Sequence, residues 1–383
     1  MQEKLRYACI GAGGIARKKH MNGYSRLPQI ELAAVCDTNR GAAEKLASEF
    51  GVKKVYTDHR EMLEKEHLDI VSICTPNHTH RSIAAEALQY CNVHVEKPMA
   101  LNSSEAKEIV MAGKRSGKKV QVGLNKRFLS STILLKRMMK EDFFGNIYRV
   151  RCGWERNSGI PGTGRWFTDS SLSGGGALID LGVHFLDLAM YFMGWPKAEK
   201  IAGSVSSNFL KEGTRIRRGY SNADGLVDVE DSANGTVLMK EGQTLEYCFS
   251  WASNIEKEVR YLELYGTKAG VRMVNDELQI FTQAAGTMFT LTPDPATMPL
   301  DENEFINFVD SIQNNSIPEA TAEQALKVME LIDRIYACSI RFGENKYDHF
   351  AEQNCLNHGV SYRNPLPKVY YMHKEGDFYA KRE

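Results

Sequence analysis

The 383-residue sequence has no excess of charge of either sign, few cysteines and no long uninterrupted apolar run. Its 48 basic and 48 acidic residues cancel, which argues against a nucleic-acid or anionic-membrane partner. The most apolar long stretch, 177–195, is broken by Asp180, His184 and Asp187, so no membrane span is expected. Residues 1–6 are polar and give no sign of a signal peptide, so we predict a soluble, cytoplasmic protein.

Clusters of metal-ligating side chains are also missing from the sequence. The eight cysteines are scattered without C-x-x-C spacing, which is typical of thiols in a reducing cytosol and suggests neither a zinc cluster nor a disulfide framework. The ten histidines form no H-x-x-x-H pattern, and His78 with His80 are too few ligands for a metal. We therefore expect no metal.

The first third of the chain alternates between strand-like and helix-like segments. Amphipathic stretches such as 42–50 and 82–89 separate short apolar runs, and a helix is predicted from Ser103 towards Gly117. This alternation is typical of βαβ units on a parallel sheet. The predicted strands are 6–10, 30–36, 54–56, 70–75, 93–96 and 120–123.

The pattern changes after residue 125. A helix is predicted at 130–141, a strand at 148–154, and a strongly apolar helix at 177–193 after a loop rich in glycine and serine. Longer alternating runs then predict a mixed or antiparallel sheet, followed by a helix over 322–340 with apolar residues at helical spacing. These runs are 201–209, 231–239, 244–251, 258–265, 270–274 and 277–281.

A glycine motif follows the first predicted strand, in the sequence Gly11-Ala12-Gly13-Gly14-Ile15-Ala16. Gly11 permits a tight turn, Gly13 allows close approach of a phosphate, and the helix after it supplies unpaired N–H groups. The motif therefore predicts a dinucleotide site that includes Gly11, Gly13, Gly14 and Ile15.

Asp37 ends the second predicted strand, close to the spacing expected for the acid that binds an adenosine ribose. An aspartate there favours NAD, whereas Arg40 just beyond it is able to pair with the 2′-phosphate of NADP. The alternative is that Asp37 is only a turn residue.

Pattern and motif together predict an α/β Rossmann domain with a parallel sheet at 1–124. An α+β domain with a large open mixed or antiparallel sheet is predicted at 125–383, its tail after Lys346 unassigned.

Three further motifs fall at predicted strand ends, where ligands of such a sheet collect. They are Cys74-Thr75-Pro76-Asn77, Glu96-Lys97-Pro98, and Gly123 to Phe128. Lys97 is the most specific candidate, because a lysine at the cofactor crevice can hydrogen-bond a substrate hydroxyl and favour developing oxyanion charge. The alternative is a solvated surface lysine.

A polar stripe interrupts the apolar helix predicted at 177–193. Asp180, His184 and Asp187 recur at i, i+4 and i+7, which places them on one helix face. A histidine has a suitable pKa to accept a hydroxyl proton near neutrality, and an aspartate one turn away can orient it or the substrate. The alternative is a buried Asp–His pair that only joins the helix to its sheet.

Together these motifs resemble those of the glucose–fructose oxidoreductase, inositol dehydrogenase and rhizopine catabolism family (Gfo/Idh/MocA). The glycine motif, the three strand-end motifs and the segment 174–187 occur in that family's order, and Val229-Glu230-Asp231-Ser232 resembles a later family segment. The resemblance covers roughly residues 5–343 and implies an active site between the two domains. It also implies a homodimer or homotetramer through the C-terminal sheet.

The resemblance also implies roles for individual residues. Lys97 corresponds to the catalytic lysine, His184 to the proton acceptor and Asp180 to the acid that orients substrate. The implied cofactor contacts add Asp37, Thr75, Asn77 and Glu96 to the glycine motif. The implied substrate cleft is bordered by Asn125 and Arg127, and Trp166 is placed to stack on a sugar face.

The predicted function is hydride transfer between a secondary alcohol of a sugar, polyol or cyclitol and NAD, with NADP as an alternative cofactor. His184 and Lys97 handle the proton and the oxyanion. Two other functions stay open at this point: a redox-neutral, NAD-dependent cleavage of a glycosidic bond, and a non-catalytic NAD-binding sensor. The lysine, aspartate and histidine set argues against the sensor, which has no need of a proton acceptor.

Overall fold

The protein is described by a computed structural model that covers residues 4–210, 215–216 and 221–342. The tail after Lys346, to which the sequence assigned no role, lies outside these residues. The described chain builds two sheets, one of six strands and one of nine.

The first sheet is entirely parallel and has the strand order β3-β2-β1-β4-β5-β6. Successive strands are added outward on one side from β1 to β3 and on the other side from β4 to β6, and this change of side between β1 and β4 opens a crevice at the carboxyl ends of these strands. The predicted Rossmann sheet is therefore confirmed. Its strands are β1 (Leu5–Ile10), β2 (Ile30–Cys36), β3 (Lys54–Tyr56), β4 (Ile70–Ile73), β5 (Asn92–Val95) and β6 (Val120–Val122).

Most helices around this sheet begin at a side chain that caps their first turn. The side chains of Asn39, Asp58 and Asn102 each accept a backbone N–H, and α5 ends at Gly117 in the left-handed region. A π-helical stretch, Ala16–Met21, leads into α1. The helices are α1 (Asn22–Ser25), α2 (Arg40–Glu49), α3 (His59–Glu66), α4 (His80–Ala87) and α5 (Ser103–Ser116).

The second sheet is mixed, as predicted, with the order β14-β13-β12-β11-β7-β10-β9-β8-β15. The pairs β7–β10 and β8–β15 are parallel, and the remaining pairs are antiparallel. The first five strands in chain order are β7 (Ile147–Glu155), β8 (Ala198–Ser206), β9 (Ser232–Met239), β10 (Thr244–Ser250) and β11 (Val259–Gly266). The last four are β12 (Ala269–Val274), β13 (Glu277–Ala284), β14 (Thr287–Leu291) and β15 (Ser339–Phe342).

The apolar helix predicted at 177–193 is present as a π-helical turn, Leu178–Gly182, that continues into α8. By length and composition the stretch Ser170–Phe192 is apolar enough to cross a membrane, but 83% of its apolar window is buried inside the protein, as in a core helix. The other helices of this part are α6 (Ser130–Lys140), α7 (Ser170–Ser173), α8 (Val183–Phe192), α9 (Glu304–Gln313) and α10 (Ala322–Cys338). Short 3₁₀ turns cover Asn77–Thr79, Asn125–Phe128 and Trp166–Thr168.

The chain returns to the first sheet after it has completed most of the second. Phe305 and Phe308 of α9 pack into the same buried cluster as Tyr7 and Tyr24, and the rings of Tyr24 and Phe305 lie 4.8 Å apart. The backbone N–H of Val122 also donates to the carbonyl of residue 320, at 3.0 Å. A segment that the sequence placed with the second domain thus covers the core of the first.

A buried ion pair joins the turn after β6 to α8. The Arg127 guanidinium donates to both carboxylate oxygens of Asp187, with Nε 2.8 Å from Oδ2, and its Nη1 donates to the Glu319 carbonyl at 2.7 Å. Arg127 and Asp187 are almost inaccessible to solvent. The structure therefore places Arg127 in the interior and not at the surface of a cleft, because its hydrogen-bonding groups are directed at protein partners.

We expect Arg127→Met to destabilise the protein by about 3–5 kcal/mol, because it leaves the buried Asp187 carboxylate without a partner. Chemical denaturation measures this change. As a control, Arg40→Met breaks the exposed pair with Glu44 and should leave the free energy of unfolding nearly unchanged. Equal stability of wild type and Arg127→Met would show that the buried pair is not required.

Candidate active site

A cavity of about 230 Å³ lies where the carboxyl ends of β5, β7 and β10 approach the turn Leu178–Gly182. It contains the lysine, aspartate and histidine predicted from the sequence. The lining residues are Lys97, Trp154, Arg156, Gly159, Pro161, Phe167, Asp180, Leu181 and His184. This volume suits a small ligand.

Asp180 is held from both sides by residues of different parts of the fold. Its Oδ1 lies 2.9 Å from the Lys97 Nζ, and its Oδ2 accepts the indole N–H of Trp251 at 3.0 Å. The Lys97 ammonium also donates to the Asp180 backbone carbonyl at 3.1 Å. Lys97 comes from the first domain and Trp251 from the second, so the Asp180 carboxylate joins the two at the cavity.

These contacts set the charge states in the cavity. Burial by itself would raise the pKa of Asp180, but the Lys97 ammonium and the two hydrogen bonds outweigh it and hold that pKa below its ordinary value. Burial lowers the pKa of His184 well below 6.5, and the Lys97 ammonium lowers it further. At neutral pH the site therefore holds a carboxylate beside an ammonium, and a neutral imidazole.

The imidazole of His184 lines the cavity, so a ligand bound there can contact the ring. Its Nδ1 is buried and has no hydrogen-bond partner among the described residues. Its ring lies beside that of Trp154, with the centroids 6.1 Å apart, and Trp154 in turn packs under the Arg156 guanidinium at 4.5 Å. A neutral imidazole in this setting can accept a proton from a bound hydroxyl group.

The loop after β1 has the space that a dinucleotide pyrophosphate needs. A Cβ on Gly13 or Gly14 would meet no heavy atom within 4 Å, and both glycines are exposed. Gly11 has φ +93°, and a Cβ there would lie 2.6 Å from the Cys74 carbonyl oxygen, so the turn requires glycine. Ile15 exposes 44% of its surface beside this loop. These residues fit a dinucleotide bound at the N-terminus of the following helix.

Asp37 lies at the end of β2, against the same loop. Its Oδ2 accepts the Ala12 N–H at 2.7 Å and its Oδ1 accepts the Asn39 N–H at 2.8 Å. Each carboxylate oxygen retains a further lone pair, so Asp37 can still accept from a ribose hydroxyl. Arg40 forms a surface ion pair with Glu44, with Nε and Oε1 2.8 Å apart.

The other predicted cofactor residues have different surroundings. Thr75 lies against the glycine turn, since a Cβ on Gly11 would be 3.0 Å from the Thr75 methyl group. Asn77 is buried, and its side-chain nitrogen donates to the Ser173 carbonyl at 2.8 Å, which ties the first domain to the loop before the Asp180 helix.

Glu96 is buried beneath the cavity. Its Oε1 lies 2.9 Å from the Lys19 Nζ and 2.8 Å from the His20 Nε2, while its Oε2 accepts the Lys97 backbone N–H at 3.1 Å. Burial by itself would raise the pKa of Glu96, but Lys19 and His20 hold it well below its ordinary value. Both oxygens of the Glu96 carboxylate are therefore hydrogen-bonded to protein groups.

Besides Arg127, two further predicted substrate residues lie outside the lining of the cavity. Asn125 is exposed on the turn after β6, and Trp166 stacks on Phe167 with ring centroids 3.8 Å apart. Phe167 is the aromatic residue of this loop that lines the cavity.

Sequence reasoning missed Trp154, Arg156, Trp251 and Lys126. The first three lie at the carboxyl ends of the parallel neighbours β7 and β10, and the Arg156 N–H donates to the Ser250 carbonyl there at 3.1 Å. Lys126 has its Nζ 5.9 Å from the centre of the Trp154 ring. Aromatic and basic residues directly at strand ends were the available signal.

Comparison with known families agrees with the two-part fold. The model of an oxidoreductase family with an NAD-binding Rossmann fold matches residues 5–124, and that of the GFO/IDH/MocA C-terminal domain matches residues 132–272. The chain is 33% identical to the D-glucoside 3-dehydrogenase of Escherichia coli (strain K12), over 87% of this chain and 94% of the relative. It is 30% identical to the scyllo-inositol 2-dehydrogenase (NAD(+)) of Bacillus subtilis (strain 168), over 84% and 90%.

Solved structures share the whole fold. A levoglucosan dehydrogenase in complex with NADH and levoglucosan superposes with a TM-score of 0.77 at 21% identity, over 88% of this chain and 97% of that one. An oxidoreductase domain protein from Kribbella flavida gives a TM-score of 0.78 at 21% identity, with the same coverage. At this identity the likeness concerns the fold.

We expect the His184 imidazole to stay neutral to well below pH 6.5, because burial and the Lys97 ammonium both disfavour its charged form. NMR of the histidine rings as a function of pH measures this, with His184→Gln to identify the signal. In Lys97→Met the pKa of His184 should rise yet stay below 6.5, since burial is the larger cause. Titration of His184 near pH 6.5 in the wild type would contradict this account.

Proposed function

The chain belongs to the Gfo/Idh/MocA family of NAD-dependent dehydrogenases, and on that premise we propose that it oxidises a secondary alcohol of a sugar, polyol or cyclitol. The observation that carries the proposal is the juxtaposition of Lys97, Asp180 and His184 in one cavity beside the carboxyl ends of the first sheet. A neutral imidazole can accept a hydroxyl proton, and an ammonium beside it can stabilise the negative charge left on the oxygen.

In the proposed reaction, His184, Lys97 and Asp180 have different roles, which follow from their charges. Bound NAD supplies the hydride acceptor. His184, neutral because it is buried, accepts the proton of the substrate hydroxyl. The Lys97 ammonium donates a hydrogen bond to the same oxygen and stabilises the negative charge that develops on it. Asp180 holds Lys97 in place through its 2.9 Å contact.

The relatives and the cavity walls both support the proposed substrate class. The relatives of known name act on a D-glucoside and on scyllo-inositol, both rings that carry secondary hydroxyl groups. In this chain Trp154 and Phe167 supply aromatic faces, which pack on the C–H faces of such rings. Arg156 adds hydrogen-bond donors for the ring hydroxyls.

The homodimer or homotetramer predicted from the resemblance stays a proposal. Support comes from large apolar side chains exposed on the second sheet. These are Tyr148, Met288, Phe289 and Leu291. Such side chains gain stability when a second copy covers them.

We expect Lys97→Met and His184→Gln each to lower kcat by about 10²–10⁴-fold, because each removes one of the two groups that act on the hydroxyl. The dissociation constant for NADH should change little, since neither side chain contacts the glycine loop in the structure. Turnover is followed as NADH absorbance with a panel of glycosides, sugars, inositols and sugar acids, and NADH binding by fluorescence.

The same assay separates the proposed reaction from its alternatives. A dehydrogenase forms one NADH for each substrate oxidised. Release of an aryl group from aryl glycosides without accumulation of NADH would replace the proposal by the redox-neutral cleavage. Wild-type turnover in either variant would remove that residue from the mechanism, and absence of both reactions across the panel would favour the sensor.

NAD should be preferred over NADP, because the Asp37 carboxylate repels a 2′-phosphate whereas Arg40 is paired with Glu44. We expect Asp37→Asn to narrow the ratio of kcat/KM for NAD and NADP by at least about tenfold, the loss of about 1.4 kcal/mol of discrimination. Asparagine retains one acceptor, which can keep the hydrogen bond from the Ala12 N–H while the one from the Asn39 N–H is lost. Arg40→Gln serves as the matched control and should leave the ratio unchanged; unchanged discrimination in Asp37→Asn would contradict the assignment.

A further inference from the structure

The helix that carries Asp180 and His184 begins without a cap of its own. The residues before it are Gly174, Gly175 and Gly176, which have no side chains to accept its first N–H groups. Helices α2, α3 and α5 each begin with a local Asn or Asp that performs this task. An uncapped helix end leaves its first N–H groups without partners inside the helix.

One residue from a remote part of the chain satisfies three successive N–H groups of this helix. The Glu230 carboxylate accepts from Gly176 through Oε2 and from Leu178 through Oε1, both at 2.9 Å. The Glu230 backbone carbonyl accepts from Ala177 at 3.2 Å. Glu230 is buried, and its Oε1 also receives the Tyr336 hydroxyl of α10 at 2.9 Å.

The glycines are required for this contact. A Cβ on Gly176 would overlap the Glu230 carbonyl, and a Cβ on Gly175 would overlap the Tyr336 hydroxyl. This close contact with Glu230 and Tyr336 therefore leaves the start of the helix only the small freedom of position that hydrogen-bond geometry allows. Asp180 lies in the first turn beyond it, since its N–H donates to the Gly176 carbonyl at 3.0 Å.

The neighbouring residue fixes the other side of Asp180. The Asp231 carbonyl accepts the Trp251 N–H at 2.8 Å, and the Trp251 indole holds the second carboxylate oxygen of Asp180. Glu230 and Asp231 thus both fix the position of Asp180. Glu230 does so through the start of the helix that carries Asp180, and Asp231 does so through Trp251, which donates to the Asp180 carboxylate. Lys97 is attached to the first domain, so this placement decides whether the lysine, the aspartate and the histidine meet.

We propose that Glu230 is a positioning residue of the active site, which sets the place of Asp180 and His184 against Lys97 by capping their helix from outside, with Tyr336 as its support. The proposal rests on the proposed function, because it gives that reaction its geometry. Misplacement of reacting groups by about 1 Å is able to cost up to about 10²-fold in rate.

The test is Glu230→Gln, in which an amide NH₂ must face one of the two N–H groups and one hydrogen bond is lost. We expect kcat to fall by at least about tenfold while KM for the substrate changes less than about threefold and NADH binding is kept. Hydrogen exchange of peptides that cover 174–184 should become faster. Tyr336→Phe keeps both N–H contacts and should lower kcat by only about threefold.

The matched control is Asp58→Ala, which removes the cap of α3, a helix that contributes no residue to the cavity lining. It should lower the melting temperature without a change in kcat. Turnover of Glu230→Gln within twofold of wild type would overturn the proposal, as would an equal loss of kcat in the control.

If Glu230→Gln does not fold, Tyr336→Phe alone tests the proposal, and an unchanged kcat in Tyr336→Phe overturns it. Wild-type turnover in Lys97→Met and His184→Gln would instead overturn the proposed function, whatever Glu230→Gln shows.

Discussion

The Asp180 carboxylate, held between the Lys97 ammonium and the Trp251 indole, is the contact on which the site depends. Lys97 follows the fifth strand of the first sheet, Asp180 lies on the helix before α8, and Trp251 follows β10 of the second sheet. A charge removed from water is tolerated only where partners satisfy it, and here the partners come from both domains. Any rearrangement that separates the domains at this point leaves a partly buried carboxylate and an ammonium without each other, so such a separation is unfavourable.

A second buried charge cluster lies beneath the first and connects it to the nucleotide end of the site. Lys19 follows the glycine loop, and its ammonium pairs with Glu96 and with Glu304 of α9, at 2.9 and 3.1 Å. Glu96 precedes Lys97 and accepts its backbone N–H. The helix that starts at the dinucleotide loop is therefore joined by ionic contacts to the strand end that carries the lysine. Fixed charges of this kind need no reorganisation when the substrate charge develops, which is the basis of electrostatic preorganisation.

The sequence predicted the features that depend on local pattern and missed those that depend on distant partners. The strands of the first sheet follow from periodicity, and so does the placing of Asp180 and His184 on one helix face, from which both line the cavity. β14 was missed because all five of its residues are exposed, so no apolar alternation marks it. The helix predicted to reach residue 340 ends at Cys338, because the chain then pairs with β8 as β15, a partner that periodicity does not reveal. Arg127 belongs to the strand-end motif Gly123 to Phe128, but its side chain is directed inward to Asp187. Trp251 contacts Asp180 although the two residues are 71 positions apart in the chain.

In the proposed reaction, the electrostatics of the cavity give Lys97, Asp180 and His184 connected roles. A proton acceptor must be neutral to act, yet the same ammonium that stabilises an oxyanion also lowers the pKa of His184 and makes it a weaker base. The Asp180 carboxylate counteracts this, since its charge raises the pKa of His184 while it pairs with Lys97. In the proposed reaction, Asp180 therefore affects both the stabilisation of the oxyanion by Lys97 and the basicity of His184. Its electrostatic effect on each of these two residues decreases with distance. Glu230, outside the cavity lining, holds the start of the helix that carries both Asp180 and His184, so under the proposed function its contacts bear on both side chains at once.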